Sequence, residues 1–127
     1  MEVPTYDTIF QQILDQVPDF AQVYQDHVDL NDKVLPHVLM GDLTRFVVEQ
    51  ADQAAARGTS ATQTERNLDT ILRILELGMG SQDPRLQELI SVSFLENLPP
   101  NNALPNNLKR LLGPALRREL NSIQGDT

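Results

Sequence analysis

The chain has 127 residues, about one domain's worth, and a chain of that size buries roughly two thirds of its surface without help from staples. It contains no cysteine, which excludes disulfides, iron–sulfur clusters and thiolate zinc sites. The net charge of −8 is unevenly placed: residues 1–56 carry ten acids against Lys33 and Arg45, whereas residues 57–127 carry eight of each sign.

Apolar residues recur every third or fourth position and never alternate over a strand's length, so every element reads as helix. The first spans residues 5–16, with Tyr6, Ile9, Phe10, Ile13 and Leu14 on one face, and Pro18 stops it. Asp19 is placed to N-cap a second helix over residues 20–30, whose stripe is Phe20, Val23, Tyr24 and Val28. Asn31-Asp32-Lys33 is a turn. A third helix begins near Leu35 with Pro36 in its first turn, continues through Val38, Leu39, Leu43, Phe46 and Val47, and ends at Gly58. The small polar segment over 57–63 reads as a flexible loop, and Thr62 with Glu65 forms a capping-box pattern for a fourth helix with Leu68, Ile71, Leu72 and Leu75 inward. After a Gly-Met-Gly-Ser-Gln break, Asp83-Pro84 starts a fifth helix with Leu86, Leu89, Ile90, Phe94 and Leu98 inward. Asn107 caps a last helix through Leu108, Leu111, Leu112, Leu116 and Leu120, with a kink or break at Gly113-Pro114 and fraying over 123–127.

The expectation is an all-α fold: a single compact domain over 1–127, of five or six mostly antiparallel helices, with a helical hairpin at about 64–98. No second copy of that hairpin occurs at a repeat period, so a solenoid is not expected. The segment Met-Glu-Val-Pro-Thr-Tyr-Asp-Thr-Ile-Phe lacks a signal peptide's basic and apolar regions. No run approaches the ~20 apolar residues of a membrane span. A cytoplasmic location is the expectation.

Chemistry is hard to find. The two histidines, His27 and His37, lack the spacing of a helical metal motif, and no metal or other cofactor is expected. There is no Gly-x-Ser-x-Gly elbow, and Gly-Met-Gly-Ser-Gln-Asp follows a helix and lacks a P-loop lysine. The polar residues set into Leu35–Phe46 stand out. His37 falls among the open amides of a helix start. Asp42 and Arg45 are three apart and can pair. Gly41 lets a neighbouring backbone come close. Two readings stand: polar residues fixing the register of a packed helix, or a contact surface for a partner. Glu96, near the end of the fifth helix, sits badly with the helix dipole unless a cation meets it. Arg110, Arg117 or Arg118 could do so and tie the fifth helix to the last. With Lys109 these arginines make the tail basic, either docked on the acidic first half or facing a partner.

The segments Val34–Leu43, Ile90–Leu98 and Leu111–Pro114 carry, in order, the blocks Leu-Pro-His-Val-x-x-Gly-Asp-Leu, Ser-Phe-Leu-Glu-Asn-Leu and Leu-Leu-Gly-Pro. Through them the chain resembles a family of small uncharacterised bacterial proteins, over about Val17–Leu120. Val34 and Leu39-Met40 depart from that pattern, where a leucine and an aromatic pair are expected. The resemblance implies a helical domain without an established activity and suggests the class of toxin-immunity proteins.

The leading expectation is a non-enzymatic protein-interaction module whose acidic half binds a basic protein such as a toxin domain, with Asp15, Asp19, Asp26, Asp29 and Asp32 steering the encounter. The same charge disfavours nucleic acid and anionic membrane as partners, although a solvated acidic face also serves solubility alone. The alternative is a small enzyme or ligand binder with a polar site between the third and fifth helices, made by His37, Asp42, Arg45 and Glu96.

Overall fold

The structure, a computed structural model, describes residues 2–57, 62–100 and 102–124, with the side chains of Arg57 and Thr62 also outside the description. The helices are α1 (Ile9–Gln16), α2 (Ala21–Asn31), α3 (Pro36–Arg57), α4 (Thr62–Met79), α5 (Pro84–Ser93), α6 (Asn106–Leu111) and α7 (Pro114–Ile123), with 3₁₀ turns at Pro18–Phe20 and Leu95–Asn97. The described residues contain no strand. No helix among them is long and apolar enough to cross a membrane. The fold is all-α, as the periodicity requires.

α3 is the axis. Its Leu39, Met40, Leu43, Val47, Ala51 and Ala54 are buried at spacings of one, three and four, which wrap a continuous stripe around 22 residues. α2, α4, α5 and α6 all pack on it. The α4–α5 hairpin supplies the facing layer through Leu68, Ile71, Leu72 and Leu75 on one side and Leu86, Leu89, Ile90 and Phe94 on the other. Gly78 lets the two helices approach: a Cβ there would lie 2.9 Å from Ile90 Cδ1 and 3.0 Å from Leu86 Cδ2.

Asp83 fixes that hairpin to the start of the chain. Its Oδ1 accepts from the Arg85 and Leu86 amides, capping α5 as the sequence predicts. Its Oδ2 accepts from the Tyr6 N–H at 2.8 Å. The Tyr6 N–H does most to hold the Asp83 carboxyl below its ordinary value of 3.8; partial desolvation opposes it, and the two α5 amides and the Arg85 charge assist.

The ends of several elements differ from expectation, each for a local reason. α1 starts at Ile9 rather than 5 because Thr5 and Thr8 form their own turn, with the Thr5 N–H donating to Thr8 Oγ1 at 2.9 Å. Asp19 does not cap α2; its carboxylate accepts from Asn67 Nδ2 of α4 at 2.8 Å, an interhelical tie. Asn107 is no cap either: its amide donates to the Ala51 carbonyl of α3 at 3.0 Å, and the helix it sits in begins at Asn106 after Pro105. At Gly113-Pro114, where a kink or break is expected, the last helix breaks into α6 and α7, so the described residues hold seven α-helices rather than five or six. Of the loop expected over 57–63, residues 57, 62 and 63 are helical and 58–61 lie outside the described residues; so does the Thr62 side chain of the expected capping box. Of the segment expected to fray, Ile123 still belongs to α7 and 125–127 lie outside the described residues.

Candidate functional site

Between α2 and α3 runs an open groove of about 490 Å³. Val23 and Leu30 of α2 and Val38 and Phe46 of α3 supply its apolar surface. Phe46 is held by an edge-on contact with buried Phe20, ring centroids 5.6 Å apart. Asp26 rims the α2 side; Asp42, Arg45 and Glu49 rim the α3 side.

Beneath the groove lies His27, 3% exposed, whose ring ties the two helices together. Its Nε2 accepts the Leu35 N–H at 2.9 Å, which closes the α2–α3 turn. A nitrogen that accepts carries no proton, so the neutral ring has its hydrogen on Nδ1. Nδ1 faces Asp42 Oδ2 at 3.4 Å. The Asn31 amide, 3.3 Å from Nδ1, finds its acceptor instead in the His27 carbonyl at 2.9 Å. The turn itself closes through Asp32 in the left-handed region, φ 64°, a conformation that aspartate tolerates better than most side chains.

Asp42 is therefore engaged on both sides: Oδ2 toward His27 and Oδ1 in an ion pair with Arg45 three residues on. The Asp42–Arg45 pair is the one expected from spacing; its link to His27 is not visible in local sequence, because the partners lie on different helices. The four residues of the expected polar site do not gather in one place. Asp42 and Arg45 line the α2–α3 groove. His37 is on the α5 side of α3, its Nδ1 hydrogen-bonded to Ser93 Oγ at 2.5 Å. Ser93 sits at a junction there: its carbonyl also accepts from Thr44 Oγ1 at 3.2 Å and Asn97 Nδ2 at 2.8 Å. Gly41 is buried at this contact, but a Cβ would meet only Asn97 Nδ2, at an ordinary 3.5 Å, so it does not admit a neighbouring backbone. Glu96 is exposed and belongs to none of the ion pairs among the described residues.

The tie expected from Glu96 between the fifth helix and the tail is made instead by Glu119, and a second acid, Glu76, ties α4 to the tail. Ser91 donates to Glu119 Oε2 at 2.8 Å, joining α5 to α7. Glu76 of α4 accepts the Ala115 and Leu116 amides at 2.8 and 3.0 Å and so caps α7 from outside. The basic tail does not reach the acidic half through an ion pair among the described residues; Arg117 instead donates to the Lys109 and Leu112 carbonyls, both at 3.1 Å.

The five aspartates expected to steer a partner, Asp15, Asp19, Asp26, Asp29 and Asp32, are all exposed. Three are held by glutamines one helical turn earlier: Gln11 donates to Asp15, Gln22 to Asp26 and Gln25 to Asp29, each at 2.8 Å. Amides orient these carboxylates without neutralising them. Among the described residues no three His, Asp or Glu side chains stand together as a metal site would need.

A family model matches the chain over residues 10–125, nearly its whole length. The chain belongs to the family described as Domain of unknown function (DUF7674). In this DUF7674 chain the matched span holds the groove, its His27 lock and all five aspartates. No curated protein and no solved structure matches the chain.

Proposed function

We propose that the chain is a non-catalytic protein-interaction module that binds a basic protein through its acidic first half. One observation carries this reading: Asp15, Asp19, Asp26, Asp29 and Asp32 are exposed, and where their carboxylates are held, amides rather than cations hold them. A negative surface that is oriented yet not neutralised accelerates encounter with a positive partner and sets its orientation. Among the roles open to such a module, neutralising a toxin domain by covering its basic surface is the one the family resemblance suggests.

The test replaces the five aspartates by asparagine. Asparagine's carbonyl oxygen still accepts the hydrogen bonds from Gln11, Gln22, Gln25 and Asn67, so the fold is kept while five charges are removed. Association with the protein captured from the chain's own organism is then followed at rising salt. The expected result is an on-rate lower by about tenfold or more for the variant at low salt, with the difference collapsing as salt screens the field. A partner whose association rate is indifferent to both salt and the five substitutions overturns the reading.

A further inference from the structure

We infer that the α2–α3 groove receives a short amphipathic helix of the partner, apolar along one side and flanked by lysine or arginine. The inference deepens the proposed function and rests on it for the sign of the partner's charge.

The described residues leave five large apolar side chains exposed; Leu30 at 85% and Val38 at 48% line this one groove, and Val34 at 37% lies in the turn joining its two helices. Leu30 lies in the last turn of α2, Val34 in the connecting turn and Val38 in the first turn of α3. Single exposed apolar residues are ordinary, but a cluster rimmed by charge marks a contact surface. α2 gives its one fully buried position to a histidine and turns its leucine outward. The outward leucine is thus not the residue that seats α2 on α3.

The dimensions fit a helix. At about 1.5 Å per residue, Val23 to Leu30 runs about 10 Å along α2, and Val38 to Glu49 about 16 Å along α3. That is two to three turns, the length over which apolar residues at i, i+3, i+4 and i+7 engage a groove between helices. The rim selects the charge. Asp26 and Glu49 are exposed and join no ion pair among the described residues, while the rim's one cation, Arg45, is held by Asp42. A segment flanked by lysine or arginine meets two open carboxylates; a segment flanked by acids meets repulsion.

The experiment uses the full chain, labelled with ¹⁵N, and three synthetic peptides of about 14 residues. The first carries leucine at i, i+3, i+4 and i+7 with lysines beside the stripe. The second scrambles that composition, and the third keeps the stripe and replaces lysine by glutamate. The first peptide is expected to shift the amides of residues 23–30 and 38–49, and Leu30→Lys and Val38→Glu are each expected to weaken it by about tenfold or more. Both sites are surface positions, so a matching spectrum away from the groove certifies the fold of each variant.

The inference is overturned if the scrambled or the acidic peptide binds as tightly as the first, if none binds, or if Leu30→Lys instead turns a self-associated chain into a monomer. The two readings separate cleanly. Tight binding of the scrambled basic peptide that is lost in the five-asparagine variant removes the groove and leaves the acidic face standing. Leu30-dependent binding of the first peptide that survives in that variant, with Glu49 the open carboxylate still present at the rim, keeps the groove and removes the broad acidic face.

Discussion

Gly113→Ala tests whether Glu76 caps α7 from across the molecule. Gly113 lies at φ −75°, ψ 174°, where alanine is comfortable. On backbone grounds alone the substitution stabilises by about 0.4–1 kcal/mol, because alanine narrows the unfolded ensemble. The structure reverses the sign. A Cβ at 113 would lie 2.5 Å from Glu76 Oε1 and 2.7 Å from its Cγ, so the carboxylate must leave. It then surrenders the Ala115 and Leu116 amides. Hydrogen bonds to a charged group contribute about 1.5–3 kcal/mol each, but Ala115 is half-exposed and water can take over its N–H, whereas Leu116 is buried. One such bond lost, less the backbone gain, leaves a net destabilisation of about 1–2 kcal/mol. Urea unfolding of the wild type, Gly113→Ala, Glu76→Ala and the double variant completes a cycle. In the Glu76→Ala background the alanine at 113 has nothing to expel, and the expected effect returns to neutral or stabilising. Equal effects of Gly113→Ala in both backgrounds refute the argument.

The remaining predictions concern the two polar locks. His27→Ala leaves the Leu35 N–H without its acceptor and opens a buried site, for an expected loss of about 2–3 kcal/mol; hydrogen exchange at the Leu35 amide should quicken by more than exchange in α4, and an unchanged Leu35 amide would contradict the lock. The histidine's ¹⁵N shifts should show the proton on Nδ1; a proton on Nε2 is incompatible with Leu35 as donor. Asp83 has a folded-state pKa below its unfolded one, so its contribution is present above the unfolded value of about 3.9 and is lost as pH falls through the folded value. The stability gap between wild type and Asp83→Asn should therefore be full at pH 6 and narrow progressively below about pH 4, as read from urea midpoints; a gap independent of pH would show that the carboxylate's charge is not what Tyr6 and α5 recognise.

The helices were legible because burial imposes a period. Leu68, Ile71, Leu72 and Leu75 face inward as their spacing demands, and Asp83-Pro84 starts α5 because a side-chain acceptor followed by a residue with no N–H leaves few other conformations. Caps on the remaining helices were less legible because an acceptor has more than one donor to choose from. Asp19 and Asn107 have the chemistry of N-caps, yet each finds a better partner on another helix, Asn67 in one case and the Ala51 carbonyl in the other. Glu76 shows the converse, since nothing local to residue 76 suggests that it caps a helix nearly forty residues on. Part of the polar site was visible for the same reason that the caps were not. Asp42 and Arg45 pair along one helix, where spacing suffices, whereas His37 to Ser93 and His27 to Leu35 need the packing of the fold to bring them together.

His27 also explains why the groove can exist. A helix normally seats itself by burying an apolar stripe, and that stripe is then unavailable to a partner. α2 buries none of its apolar side chains fully: Val23, Tyr24 and Val28 are only partly covered, and Ala21 and Leu30 are exposed. A buried imidazole whose Nε2 accepts from Leu35 and whose Nδ1 faces Asp42 adds a directional tie to the packing of Val23 and Tyr24 against the core. Leu30 is thereby released from the core without loosening the turn that follows it. Burying a leucine side chain is worth roughly 1.5–3 kcal/mol, a gain this fold forgoes and a partner can collect. The same Asp42 that receives the histidine holds Arg45 at the rim, so the carboxylates left open at the groove are Asp26 and Glu49. Asp42 and Arg45, half of the polar site expected from sequence, thus join His27 in fastening α2 to α3 and leave an apolar, acid-rimmed surface facing outward.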